Sequence, residues 1–439
     1  MKKVIVFVID SLHPVVLGRI LSEGNAPALR FLAKQGIYFD RVISSFPTMT
    51  PVAMSSMITG TWSDRHGVPG FIWYNKEIGE IVDYGATWQS IVKIGPEKVL
   101  RNLLIKLNEE HLNPQTPTLY ERLEARGYTT GNVNFMIHRA INPYRAKPPF
   151  LLALATRFRL TQADVSGPSH LTLGQLVHPP FSGLSKAYPR GAFHRYGFND
   201  SFSGKIAAQI VREGNQPDLM VVYFPDNDKY SHQHGPLRSG PSIEHVDSQV
   251  AAVLNEYGSW EKALEENVFI VTGDHAQSTV GLGNEYLINL DRVLKSFKRL
   301  KATEEASEDK DQEIAICPNE RMAFIYILQR TKEILDDVVG VLCKDTRHAQ
   351  IAWKVSENLY CVLQGGTEKQ LLFSRVGPYQ DVYGQSWSCE GDLSVVDAQI
   401  TGEKTIEFGK FPDALTRLIS ALEARDGSRV VVSAASGYE

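Results

Sequence analysis

Three apolar runs in this chain each lead into a carboxylate. Val4-Ile5-Val6-Phe7-Val8-Ile9 ends at Asp10. Leu219-Met220-Val221-Val222-Tyr223-Phe224 runs on to Asp226, Asp228 and His232. Asn267-Val268-Phe269-Ile270-Val271-Thr272-Gly273 ends at Asp274-His275. Six or seven apolar residues between polar boundaries read as strands buried on both faces. Between these runs the period changes to that of helices. Residues 27–35 are helical in spacing and stopped by Gly36, 51–60 form a short helix ending at Gly60, and 118–126 form an amphipathic helix stopped by Gly127. Residues 38–45 and 129–135 read as further strands. This alternation predicts an α/β fold with a largely parallel central sheet and helices on both faces.

The rhythm fails twice, which divides the chain. Residues 1–140 are the first part of a core. Residues 141–205 are broken by Pro143, Pro148, Pro149, Pro168, Pro179, Pro180 and Pro189 and are expected to be an inserted cap segment. The second part of the core spans 206–295, and 296–410 reads as a second inserted cap, a small α+β subdomain with a helix near 331–342. Residues 411–439 are expected to return to the core through a helix at 413–424 and a strand at 429–433 in the main sheet. The charged run 297–313 reads as a solvated loop or helix face. No internal repeat is present.

Composition narrows the function classes. A net charge of −4 over 439 residues carries no nucleic-acid-binding signature. It is compatible with a small phosphorylated substrate, since a bound metal supplies positive charge locally. Cys317, Cys343, Cys361 and Cys389 lack CxxC spacing and read as free thiols. The apolar run after Met1-Lys2-Lys3 is short and has no small-residue cleavage site, so it reads as a strand rather than a signal peptide. No stretch reaches the roughly 18 apolar residues of a membrane span. A cytoplasmic location is the default expectation.

The strand ends supply the candidate chemistry. Groups just past strand C-termini in an α/β sheet converge on one crevice. Acids and imidazoles converging there point to a site for two divalent metals. Asp228 and His232 are four residues apart, so one helical turn places both on one side. Asp274 and His275 sit where the chain leaves the pleat. Carboxylate oxygen with imidazole nitrogen suits zinc and also admits manganese. Asp226 and His234 are spare candidates, and His245, on the amphipathic segment 242–256, reads as structural.

Thr50 followed by Pro51 has the form of a helix N-cap with proline at the first helical position. A hydroxyl at a helix N-terminus sits in positive potential, where a phosphate would also dock. Taken alone, capping is the simpler reading. Beside three acidic strand ends, the nucleophile reading is preferred, with Thr48 as the alternative. Phe71-Ile72-Trp73-Tyr74-Asn75 could wall a base-stacking site, but such runs are more often core packing.

These residues in this order resemble the alkaline phosphatase superfamily, in particular its type I phosphodiesterase/nucleotide pyrophosphatase branch. Asp10 resembles that family's first metal aspartate, and Phe46-Pro47-Thr48-Met49-Thr50 with Thr59-Gly60 its nucleophile segment. Ser63-Asp64-Arg65-His66-Gly67 is similar to the segment just downstream, where His-Gly is structural. Asp228-x-x-x-His232-x-x-Gly235-Pro236 and Asp274-His275 are similar to its two Asp/His pairs. The likeness covers roughly residues 3–75 and 215–290. It implies an alkaline-phosphatase-like core holding two zinc ions, one on Asp10, Thr50, Asp274 and His275 and the other on Asp228 and His232. It also implies in-line attack by Thr50 on phosphorus, giving a phospho-threonine that water cleaves.

Three departures stand out. The family's asparagine three residues after the nucleophile is here Ala53. Pro51 has no N–H to offer a phosphate oxygen. The family's late metal histidine has no counterpart, since no histidine follows His348, and this leaves open a chain truncated at its C-terminus. The expected function is therefore a metal-dependent phosphodiesterase acting on a small phosphorylated substrate. The alternatives are a phosphomonoesterase or phosphomutase of the same superfamily, or a non-catalytic binding protein that keeps the fold. A sulfatase is disfavoured by threonine at the nucleophile position and by Met54 four residues later.

Overall fold

The computed structural model describes residues 2–85, 91, 92, 94–177, 188–306, 311–329 and 331–439. Pro179, Pro180 and part of the charged run 297–313 lie outside the described residues. The chain forms two compact units. One comprises Met1–Ser44, Ala53–Thr61 and Pro96–Thr279; the other comprises Ser45–Val52, Trp62–Gly95 and Val280–Glu439.

The first unit is built on five strands in the order His170–Thr172, Thr130–Val133, Leu219–Phe224, Lys3–Ile9 and Asn267–Gly273, every neighbouring pair parallel. Lys3–Ile9 lies between its two acidic neighbours. Val4 stands level with Leu219 and Val268, and Ile9 with Phe224 and Gly273. Register thus brings the three apolar runs to one end of the sheet together.

One face of this sheet presents Ile5, Phe7, Ile9, Met220, Val222 and Phe224 to Val16, Ile20, Ala28, Leu29, Phe202, Ile206 and Val246 from helices. Ile5, Phe7 and Ile9 have no exposed surface. Burying such a side chain contributes about 1.5–3 kcal/mol. The other face carries Asn132, whose amide reaches the Tyr120 hydroxyl of the helix Leu119–Glu124. Helices therefore cover both faces, as the alternating pattern predicts. The helix Pro27–Gln35 opens with proline, and Asp247 Oδ1 accepts the Leu29 N–H at 2.7 Å, filling a helix-terminal donor that has no internal partner.

The second unit carries a nine-stranded, mostly antiparallel sheet. Its core gathers Ile325, Val338, Leu342, Ile351, Val430 and Val432. All four cysteines lie in this unit as free thiols. Trp73 and Tyr74 are core residues here. Arg425 stacks 4.6 Å from the Trp73 ring centre, and Tyr74 packs 5.6 Å from Tyr326.

Two expectations fail. Among the described residues, 38–45 pair with no strand, and Tyr38, Phe39 and Val42 are exposed. Extended propensity needs a neighbouring strand to be realised. The late strand Arg429–Ala434 joins the second sheet, between Met322–Ile327 and His348–Ser356, rather than the main sheet. The Val430-Val431-Val432 run signals burial on both faces and contains nothing that selects a sheet. Among the described residues no helix is long and apolar enough to cross a membrane.

Candidate active site

Asp10 follows Ile9 directly, and the chain turns at once. Ser11 takes a left-handed backbone conformation with φ of 54°, sparse for a non-glycine residue. Two side chains hold that turn. The amide of Asn227 donates to the carbonyls of Asp10 and Ser11 at 2.8 and 2.9 Å. The Ser11 N–H donates to Asp274 Oδ1 at 3.1 Å, and the same oxygen takes the His275 N–H at 2.8 Å. With Oδ1 so engaged, Oδ2 is the Asp274 oxygen that no described donor reaches.

Three side chains converge. One ligand atom each from Asp10, Asp274 and His275 lies within 4.8 Å of the other two. His275 Nε2 is 3.5 Å from Asp10 Oδ1 and 3.7 Å from Asp274 Oδ2. Both oxygens are buried and, among the described residues, have no geometric hydrogen-bond partner. Two oxygens left bare in a buried site are costly unless a cation fills the space. Ligands about 2.0–2.2 Å from a tetrahedral ion stand roughly 3.3–3.6 Å apart, a separation that the 3.5 Å pair meets and the 3.7 Å pair slightly exceeds.

Burial pushes the Asp10 carboxyl well above the usual carboxylate range. The charges of Asp274 and Asp228 push it the same way, while the hydrogen bond from Tyr223 draws it down. Tyr223 donates its hydroxyl to Asp10 Oδ2 and is itself pushed up, chiefly by burial and then by Asp10 and Asp274. Three acids within electrostatic reach of one another repel unless a cation neutralises them.

Asp228 and His232 lie one turn apart on the helix Asp226–His234, with His232 Nε2 3.5 Å from Asp228 Oδ2. The other oxygen, Oδ1, accepts from Gln277 Nε2 at 2.6 Å. Both side chains are partly exposed. Among the described residues no third acid, histidine or cysteine joins them.

Thr50 opens the helix Thr50–Thr59 as its first helical residue rather than its cap, and is buried. It belongs with residues 45–52 to the second unit. Gly60 ends the helix with a positive φ of 68°, and its N–H bonds Ser56 O at 2.8 Å. Ser44, just before this segment and within the first unit, donates to the Asp274 carbonyl at 2.6 Å. His66 is buried and pushed down to about 3 by that burial, so its neutral Nδ1 accepts the Val68 N–H.

The spare candidates have other occupations. Asp226 pairs with Arg195, His234 stacks on Tyr230 with ring centres 4.1 Å apart, and His245 bonds Ser201 Oγ at 2.9 Å. Tyr223, Asn227, Gln277 and Arg195 are not singled out by the sequence motifs. Tyr223 carries one available signal, a single hydroxyl within an otherwise apolar strand. Arg195 sits in the irregular segment with a left-handed backbone (φ 47°), and its charge is felt by Asp200, Tyr223 and Asp10.

The profile of the family described as type I phosphodiesterase / nucleotide pyrophosphatase matches residues 4–379. None of the curated proteins is matched. Among solved structures, murine ectonucleotide pyrophosphatase/phosphodiesterase 5 is 13% identical, covers 100% of this chain and 90% of its own, and gives a TM-score of 0.49. Phosphonoacetate hydrolase from Sinorhizobium meliloti 1021, solved with phosphonoformate, is 16% identical over 80% of this chain and 75% of its own, also at 0.49.

Proposed function

Since the chain belongs to the type I phosphodiesterase/nucleotide pyrophosphatase family, and is thus a phosphoric ester hydrolase, we propose that it cleaves small phosphodiesters through a phospho-threonine on Thr50 at a two-metal site. The observation that carries this reading is the convergence of Asp10, Asp274 and His275 with two buried, unpartnered carboxylate oxygens. In this reading Asp10, Thr50, Asp274 and His275 hold one divalent cation and Asp228 and His232 a second, zinc in first place with manganese compatible. Such ions, when bound, lower the pKa of a hydroxyl and neutralise charge on phosphoryl oxygens.

The protein's own groups set the geometry. Asp274 is fixed by two backbone N–H donors and Asp10 by Tyr223, so neither carboxylate need reorganise during reaction. Thr50 Oγ1, having lost its proton, attacks phosphorus in line. The Thr50 O–P bond forms as the ester P–O bond breaks, and the leaving alkoxide departs as the alcohol with the proton that Thr50 gave up. Water then forms a new O–P bond as the Thr50 O–P bond breaks, and one water proton returns to Thr50 Oγ1. Pro51 has no N–H to offer the transferred group, and Ala53 has no side-chain donor. Arg195, a cation in the field of Asp10, is the group proposed to offset its charge.

The test is hydrolysis of bis-p-nitrophenyl phosphate with added zinc or manganese, for wild type and Thr50→Ala, with the monoester p-nitrophenyl phosphate alongside. Loss of diester cleavage in Thr50→Ala is expected. Unchanged cleavage would overturn the nucleophile assignment, and a preference for the monoester would make the protein a phosphomonoesterase.

A further inference from the structure

Between Glu124 and Asp164 the chain holds six arginines and lysines and no acid, in a protein whose net charge is −4. This basic stretch contains an amphipathic element of the first unit. The helix Phe150–Ala155 is anchored inward by Leu152 and Ala153, and Leu160 beyond it is buried. Leu152 packs with Val165, Leu171, Leu173 and Leu176. Its opposite face is apolar and open to solvent: Phe150 is 70% exposed, Leu151 61%, Leu154 54% and Phe158 46%.

The backbone holds this face outward. Arg157 and Phe158 both adopt left-handed conformations, with φ of 50° and 60°. A bulky aromatic residue there is a true outlier, and such strain persists where the surroundings or the function demand it. The consequence is that the Phe158 ring returns to meet Phe150 edge-on, 6.4 Å between centres, in solvent rather than in the core. Arg145, Lys147 and Arg157, each within five residues of the patch along the chain, are exposed, and among the described residues none is paired with a carboxylate. Arg159 is paired with Glu97 at 3.1 Å.

We propose that the face formed by Phe150, Leu151, Leu154 and Phe158, rimmed by Arg145, Lys147 and Arg157, docks the protein onto an anionic lipid bilayer. Aromatic and leucine side chains flanked by cations suit the boundary between headgroups and acyl chains. A second copy is a poorer occupant, since a two-fold contact would oppose the two cationic rims. This inference does not depend on the proposed hydrolysis.

The experiment is co-sedimentation of the full chain with vesicles of phosphatidylcholine, with and without phosphatidylglycerol. Binding is expected only to the anionic vesicles, and it should weaken as salt is raised. Phe150→Glu/Leu154→Glu should abolish it. Lys147→Glu/Arg157→Glu should weaken it by about fivefold for each cation lost from the surface. All four sites are exposed, so unfolding midpoints should stay at the wild-type value, which separates lost docking from lost folding. Failure to bind anionic vesicles, or binding that survives both double substitutions, overturns the proposal. So does a dimer in sedimentation velocity that Phe150→Glu/Leu154→Glu dissociates while vesicle binding is absent.

Discussion

Tyr223 donates its phenol hydrogen to Asp10 Oδ2, and the other oxygen of that carboxylate, Oδ1, lies 3.5 Å from His275 Nε2. One hydrogen bond thereby decides which Asp10 oxygen faces the imidazole. Tyr223→Phe removes the donor and strands a buried oxygen, at a cost of about 1–3 kcal/mol. Groups that orient a metal ligand typically account for 10- to 100-fold in affinity. The expected outcome is a lower unfolding midpoint and a weaker zinc affinity, read by competition with a chromophoric chelator. Unaltered affinity would mean that packing alone orients Asp10.

The two ligand sets are unequal. Asp10 and Asp274 are buried and converge with the half-buried His275, whereas Asp228 and His232 are a partly exposed pair. Calorimetric titration with zinc should resolve a tight site and a weak one. Asp274→Asn is expected to eliminate the tight site, and Asp228→Asn only the weak one. Equal losses from the two substitutions would contradict this division.

At the end of the strand Asn267–Gly273, glycine is required by space. A Cβ on Gly273 would stand 2.8 Å from Leu12 Cβ and 3.4 Å from the Ile9 carbonyl. Overpacking of this kind costs about 1–3 kcal/mol. Relief would displace the adjoining Asp274 from the turn it braces. Gly273→Ala should therefore lower the unfolding midpoint and reduce turnover even at saturating metal. A drop in stability with full turnover would confine the effect to packing.

Much of this arrangement was legible in the residues. The three apolar runs announced their strands, and parallel register then placed Asp10 and Asp274-His275 together without further information. The helices Pro27–Gln35 and Lys332–Leu342 followed from periodicity, proline and capping. What the sequence hid depends on contacts far apart in the chain. Asn227 matters through two carbonyls more than 200 positions away. Residues 38–45 have strand composition and no partner, and Arg429–Ala434 chose a sheet on grounds that no local pattern records.

Asp200 offers a pH-dependent readout of its own. Burial pushes its carboxyl up to about 8, with Arg195 pulling the other way. The native state thus binds a proton that the unfolded chain has already released above about pH 4. The associated stability is complete below that pH and disappears as pH rises through about 8. Asp200→Asn keeps an oxygen for the Asp226 N–H and cannot ionise. Thermal unfolding from pH 5 to 9 should fall less steeply in this variant than in wild type. Parallel curves would show that Asp200 does not titrate over the range.

The central position of Lys3–Ile9 sets an order of events during synthesis. Val4 leaves the ribosome well before its sheet neighbours Leu219 and Val268, which arrive only after most of the first unit has been made. Pairings so distant along the chain are slow to form and leave apolar edges open in the meantime. The nascent chain must keep Val4-Ile5-Val6-Phe7-Val8-Ile9 from aggregating for that whole interval, which makes this stretch a natural client segment for chaperones.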